Sequence, residues 1–185
     1  MNIIEPKTQS NLFGYDNYFN SFIKLHEENK LPNVILLTGL KGIGKSTFIY
    51  HFINYLLSQD ETNKYSLSNF KINEDNTSFK LIQNNIHPNF FILENNLNDG
   101  NIKIDQVRSL LKFLSKSTYS KNIKIVFIDN AEYLNINSSN ALLKCLEEAT
   151  GNTFFFIVQN SSSKFHDTLK SRCITFKIYF ENLKK

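Results

Sequence analysis

Short unbroken apolar runs alternate along the chain with segments whose apolar residues return every three or four positions. Residues 34–38 read Val-Ile-Leu-Leu-Thr and run straight into a glycine loop. A continuous apolar run of that length predicts a strand buried on both faces. From Lys45 to Leu57 the pattern is helical, with Phe48, Ile49, Phe52, Ile53, Leu56 and Leu57 on one side. Residues 59–86 are polar and rich in Asn and Ser, which predicts a loop or a weakly structured insertion. Pro88 then precedes a second strand over 89–93, and residues 95–101 predict a turn. Ile104, Val107, Leu110, Leu111 and Leu114 recur at helical spacing. Asp105 in the first turn suits the positive end of that helix dipole. Residues 123–128 predict a third strand. Leu142, Leu143, Leu146 and Ala149 mark a helix that the polar residues 135–140 begin and Gly151 stops. Residues 153–158 and 173–178 predict strands four and five.

Strands separated by helical segments indicate parallel βαβ units. The expected fold class is therefore α/β, a three-layer parallel sheet of five strands. A length of 185 residues suits one such domain, expected over residues 1–180 with its polar insertion at about 59–86. No internal repeat is visible.

Composition narrows the classes. The net charge of +4 permits an anionic partner but is far from a strongly basic nucleic-acid signature. Lys112, Lys116, Lys121 and Lys124 are spread over a helix and a strand entry, as on a solvated face. Cys145 and Cys173 cannot make a disulfide framework or a four-ligand zinc site. The N-terminus lacks an apolar signal region, and no apolar run approaches the roughly 20 residues of a membrane span. The expectation is a soluble protein of a reducing, cytoplasmic compartment with no membrane partner. Of the 21 Lys and Arg residues only Arg108 and Arg172 are arginine, within a general bias towards Asn, Ile, Lys and Phe that AT-rich codons produce. An arginine in such a chain is worth inspecting.

Residues 39–46, Gly-Leu-Lys-Gly-Ile-Gly-Lys-Ser, fit the phosphate-loop pattern G-x-x-x-x-G-K-S/T, with a strand before and a helix after. The chemistry follows from the residue types. Gly39, Gly42 and Gly44 let backbone N–H groups turn towards a phosphate. Lys41, Lys45, Ser46 and Thr47 complete the candidate nucleotide-binding set, with the helix N-terminus adding partial positive charge. Lys45 supplies a charge to the β- and γ-phosphates, and the Ser46 hydroxyl can ligate Mg²⁺. The expected cofactors are ATP or ADP and Mg²⁺.

The buried strand ending at Ile128 is followed by Asp129, an acid of the type that orients water or Mg²⁺ on a strand beside such a loop. The next residue is Asn130, where many ATPases carry a Glu. An amide can orient a water but cannot accept its proton. Glu132 is two residues further on and is expected to point elsewhere. Nucleotide binding is supported by this reading, and hydrolysis is not.

Asp129-Asn-Ala-Glu-Tyr-Leu, Asn137-Ser-Ser-Asn-Ala-Leu-Leu-Lys-Cys-Leu-Glu-Glu148 and Ser171-Arg-Cys173 together resemble the AAA+ ATPase module of bacterial clamp-loader subunits of DNA polymerase III. Asn11-Leu-Phe-Gly14, Leu31-Pro32, His87-Pro88-Asn89 and Ile104-Asp-Gln-Val-Arg108 look most like the delta-prime branch of that family. The resemblance covers roughly residues 10–178. It implies that Arg172 is an arginine finger reaching the γ-phosphate held by a neighbouring subunit, a task for an always-charged planar fork. It implies that Asn160 is the sensor-1 polar residue, and that residues 13–15 lie beside the adenine. The implied catalytic set is thus Arg172 acting in trans, Asp129 and Asn160, with Ser46 and Asp129 at Mg²⁺.

The implied partners are the other clamp-loader subunits, of motor ATPase and delta type. Through the complex they extend to the sliding clamp and primed DNA. Three departures refine the picture. Many members carry a four-cysteine zinc module after the first helix, but residues 59–86 hold no cysteine, so no zinc is expected. Asn130 stands where a motor subunit carries an acid, which favours a delta-prime subunit with weak or absent hydrolysis. The chain ends soon after the fifth strand, so the lid and collar domains of the family are expected to be missing. The alternatives are a hydrolysing motor subunit of the gamma or tau type and a stator that binds no nucleotide. A small phosphate-loop kinase gives the 140–148 and 171–173 motifs no natural place.

Overall fold

The computed structural model describes residues 5–95, 100–116, 123–147, 149 and 151–180. Glu148 of the resemblance and most of the expected turn at 95–101 lie outside the described residues. In chain order the elements are α1 (Asp16–Glu27), β1 (Val34–Gly39), α2 (Lys45–Leu57), α3 (Thr77–Gln83), β2 (Phe90–Leu93), α4 (Ile104–Ser115), β3 (Lys124–Ile128), α5 (Ile136–Glu147), β4 (Thr153–Asn160), α6 (Asp167–Lys170) and β5 (Ile174–Lys177). The described residues form two compact units, residues 5–31, 42–87 and 178–180 in the first, and residues 32–41 with the described part of 88–177 in the second.

The second unit contains the whole sheet. Its order is β2-β3-β4-β1-β5 and every pairing is parallel. Each residue of β1 and of β3 is buried, as continuous apolar runs require in a sheet covered on both faces. Val34 and Leu36 of β1, Val126 and Ile128 of β3, and Phe155 and Ile157 of β4 alternate onto one face. That face packs with Val107 and Leu110 of α4, Leu142 and Leu146 of α5, and Leu169 of α6 in one core. Lys124 is the exception in β3, a buried cation. Its Nζ donates to the carbonyls of Phe113 (3.3 Å), Leu114 (2.5 Å) and Lys116, satisfying the orphan acceptors at the end of α4. Burial pushes its ammonium below the ordinary lysine range.

The first unit is built on aromatic rings. Phe19 and Phe22 of α1 meet Phe48 and Phe52 of α2 edge to face, with centroids 5.2–5.9 Å apart. Tyr65 stacks on Phe19 at 5.2 Å. The expected loop at 59–86 is corrected here, because it contains α3 and short antiparallel bridges of Lys71 with Asn11 and Ser66. Tyr65, Ile72, Phe79 and Ile82 bury its apolar side, and polar side chains fix the rest. Asn76 caps α3 by accepting from Phe79 N at 2.7 Å, accepts from Asn54 Nδ2 at 2.9 Å, and donates to Asn63 O at 2.9 Å. Glu61 accepts from the backbone N–H groups of Thr77 (2.8 Å) and Ser78 (3.0 Å), a carboxylate at the positive end of the same helix.

His51 of α2 is fully buried in this unit. Its Nε2 lies 3.1 Å from Gln9 O, which can only accept, so Nε2 carries the proton and Nδ1 accepts from Tyr65 OH at 3.0 Å. Burial depresses its pKa from 6.5 to about 4. The folded state therefore holds the neutral ring, and the unfolded chain takes up the proton first. The stabilisation is complete above pH 6.5 and is lost as pH falls towards 4. Urea unfolding across that window should show a loss of up to about 3 kcal/mol from this residue. The loss should be absent in His51→Asn, and equal pH slopes in both proteins would refute the assignment.

Candidate functional site

The candidate phosphate loop begins at the buried Gly39, the last residue of β1, and passes through exposed Leu40 and Lys41. Gly42 and Gly44 then adopt φ of +82° and +90°, the left-handed region that L side chains rarely enter. A Cβ at position 42 would meet nothing within 4 Å, so it is backbone conformation and an open outer face that call for glycine there. Gly44 is the N-cap of α2, and its carbonyl accepts from Phe48 N at 2.9 Å. Lys45 is 7 % exposed at the first position of the helix, followed by half-buried Ser46 and Thr47. No acidic residue occupies the first turn of α2, so nothing there competes with an anionic ligand for the helix dipole. These residues fit a nucleotide: Gly42, Gly44 and Lys45 would hold phosphate oxygens and Ser46 a metal-bound one. Mg²⁺, when bound, would supply Lewis-acid neutralisation of phosphate charge.

Tyr15 supports the loop from α1's N-cap. Its hydroxyl donates to Ile43 O, and its ring packs against Phe48 at 5.6 Å and edge-on to Phe180 at 6.0 Å. Burial pushes its phenol up to about 12, so it stays a donor throughout the physiological range. Of residues 13–15, Phe13 is 66 % exposed, and a Cβ at Gly14 (φ +73°) would come within 3.1 Å of the Phe180 ring.

At the sheet, parallel pairing collects three further candidates at one edge. Gly39 is the register partner of Asn160, so the first loop residue and the sensor-1 candidate lie side by side. Asp129 follows Ile128, whose β4 partner Ile157 is three residues before Asn160. Asp129 is half-buried, with its N–H donating to Leu93 O at 2.9 Å. One expectation needs correcting: the strand that ends at Asp129 is not beside the loop strand, because β4 separates β3 from β1. Asn160 Oδ1 accepts from Ser162 N at 3.3 Å and Ser162 Oγ at 3.0 Å, an Asx turn that holds the amide at the strand end.

Asn130 adopts φ 54°, ψ 54°. Asn tolerates this left-handed geometry better than Glu does, which gives Asn130 a backbone reason beyond compositional drift. The turn it opens brings Glu132 back to the sheet edge. Glu132 Oε2 accepts from Asn160 N at 3.3 Å, so the side chain expected to point elsewhere reaches the strand beside β1.

Arg172 follows α6 and is partly exposed. Its Nε (3.0 Å) and Nη2 (2.6 Å) both donate to Glu147 Oε1 at the end of α5, and its Nη1 donates to Thr168 O at 2.9 Å. Arg108 makes only an exposed pair with Asp105 one turn away, at 2.8 Å. Among the described residues no group of three or more His, Cys, Asp or Glu is placed to hold a metal ion. Nor is any helix among them long and apolar enough to cross a membrane.

A family model described as DNA polymerase III, delta subunit, matches residues 14–182. The chain belongs to this family. Curated relatives include the DNA polymerase III subunit delta′ of Pseudomonas aeruginosa, 34% identical over 75% of this chain and 40% of its own length. The subunits delta′ of Buchnera aphidicola from Schizaphis graminum (32% identical; 86% of this chain, 47% of its own) and of Escherichia coli (26%; 84% and 45%) also match. The chain thus spans less than half the length of these relatives. Among solved structures, a DNA polymerase III gamma subunit-related protein of Thermotoga maritima matches with a TM-score of 0.52 at 19% identity, over 87% of this chain and 45% of that one. The RuvB Holliday junction branch migration motor of the same species matches at 0.50 and 14%, over 94% and 49%. These two likenesses show the fold, that of AAA+ phosphate-loop proteins.

Three residues make contacts at the site that the reading of the sequence does not give. Tyr15 falls within the 13–15 segment, but nothing local marks its hydroxyl as a support for Ile43. Glu132 is visible only once the turn at Asn130 is known. Glu147 belongs to the Leu-Glu-Glu motif, yet its partner is 25 residues away.

Proposed function

We propose that this chain is the nucleotide-binding module of a delta-prime-type clamp-loader subunit of DNA polymerase III. On this reading it binds ATP or ADP with Mg²⁺ and turns it over slowly or not at all. It presents Arg172 to the nucleotide of an adjacent motor ATPase subunit, so that the sliding clamp is loaded on primed DNA. The observation that carries the reading is the shared carboxyl edge of β1, β3 and β4, with Gly39, Asp129 and Asn160 at their ends and the glycine loop continuing into α2. The family match sets the context of DNA replication. Lys45→Ala should abolish nucleotide binding that the wild-type chain shows in the micromolar range by titration calorimetry. Equal affinity in the two proteins would sink the site, and no binding by either would favour a stator without nucleotide.

The finger has its own test. An arginine finger is worth about 10³–10⁵ in rate. In a complex reconstituted with the partner ATPase, Arg172→Ala should remove most of the stimulation of ATP hydrolysis that the wild-type chain gives. Full stimulation by the variant would end the assignment.

One contact favours the second reading, a hydrolysing motor subunit of the gamma or tau type. Glu132 is a carboxylate at the edge where Asn130 offers none. If it serves as the base, the isolated chain should show a slow, Lys45-dependent ATPase that Glu132→Gln reduces by about 10²-fold or more. A basal rate unmoved by Glu132→Gln leaves the non-hydrolysing reading standing.

A further inference from the structure

We propose that Glu147 is the positioning residue that fixes the guanidinium of Arg172 for action on the neighbouring subunit. The proposal rests on the finger reading above and adds the group that makes the finger rigid.

The geometry is specific. Nε and Nη2 share Glu147 Oε1 along one side edge of the guanidinium plane, and Nη1 is held by a backbone carbonyl of α6. The plane is thereby fixed at three of its nitrogens. Nη1 and Nη2 each carry two N–H groups, and each spends one here, so the end edge keeps donors for a phosphate. The side chains of Arg172 and Glu147 retain 37% and 54% of their exposure, so the pair is open to a partner surface.

Two further points separate this pair from an ordinary surface ion pair. Glu147 is the final residue of α5, where the helix dipole is negative and a carboxylate is disfavoured. Helix stability does not explain an acid there, and holding Arg172 does. A lysine could also neutralise Glu147. A single ammonium could not keep a plane fixed between a carboxylate on α5 and a carbonyl on α6. In a chain with nineteen lysines and two arginines, the arginine stands where a planar fork is needed.

Positioning affects turnover more than binding, since misplacement of a reacting group by about 1 Å can cost 10²-fold. The test uses the complex with the partner ATPase and measures kcat and KM for ATP with wild-type chain, Glu147→Gln, Glu147→Asp and Arg172→Ala, each first shown by thermal melting to be folded. Glu147→Gln should lower the stimulated kcat by about 10–100-fold with KM unchanged, a loss smaller than that of Arg172→Ala. Glu147→Asp, which keeps the charge but reaches less far, should fall between Glu147→Gln and wild type. A wild-type or raised kcat in Glu147→Gln, with Arg172→Ala defective, overturns the positioning role while leaving the finger intact. A normal kcat in Arg172→Ala overturns the finger reading and the proposal with it.

Discussion

Parallel strand pairing is the constraint on which the rest of the sheet unit depends. When β1, β3 and β4 run the same way, all their carboxyl ends emerge at one edge, and loops from distant parts of the sequence are brought together there. Residues 39, 129 and 160 are far apart along the chain, yet the register of β4 with β1 and β3 sets them at neighbouring strand ends. Parallel sheets need both faces buried, which is why β1 and β3 are buried throughout and mostly apolar, and can expose chemistry only where they end. The position of Gly39 as the last buried residue of β1 follows: the polypeptide becomes exposed at Leu40 and Lys41, where the sheet stops.

Backbone conformation then decides which side chains are available at that edge. Gly42, Gly44 and Asn130 all sit at positive φ, and each stands immediately before or within a turn that redirects the chain. Asn130 is informative because its two explanations lead to different chemistry. As a substitute for a catalytic acid it removes a proton acceptor. As a left-handed residue it sharpens the turn into residues 131–133 and returns Glu132 to the end of β4, where the carboxylate accepts from Asn160 N. Whether the second compensates for the first is a question of water placement rather than of residue type.

What was legible in the sequence was the part written in local periodicity. Residues 34–38 and 45–57 announced β1 and α2 because one is continuous and apolar and the other recurs at helical spacing. The five strands and the phosphate loop follow from the same signals. Three helices, α1, α3 and α6, are not marked by those signals; α6 has only four residues, too few for a period to show. In α1 the buried Phe19, Phe22 and Ile23 do have helical spacing, but polar residues separate them and the segment lacks a side-chain cap. In α3 only seven residues are helical; Asn76 and Glu61 act on its first turn, and Phe79 and Ile82 are its only buried apolar residues. A polar, Asn-rich stretch looks like a loop by composition. Here Asn76 joins Asn54, Asn63 and Phe79 by hydrogen bonds, and the contacts to Asn54 and Asn63 are tertiary information no local pattern contains.

The two arginines show the same limit from the other side. Both stand out against nineteen lysines, and only the Ser171-Arg-Cys173 motif sets Arg172 apart in the sequence. Arg108 makes one exposed hydrogen bond to an acid a single turn away, the kind of pair worth a few tenths of a kcal/mol and one that lysine makes almost as well. Arg172 uses Nε, Nη1 and Nη2 at once, on a carboxylate of α5 and a carbonyl of α6, and no other side chain can do so. Neither pair owes its place to a large gain in folding stability, since both are too exposed. For Arg172 what remains is rigidity. A long side chain that would otherwise sample many rotamers is held in one, with its end edge turned to solvent. Ordering that side chain ahead of any encounter costs conformational entropy in the isolated chain and saves the same cost at binding. A contact of low stabilising value and high geometric definition makes physical sense where a phosphate from another molecule is to be met.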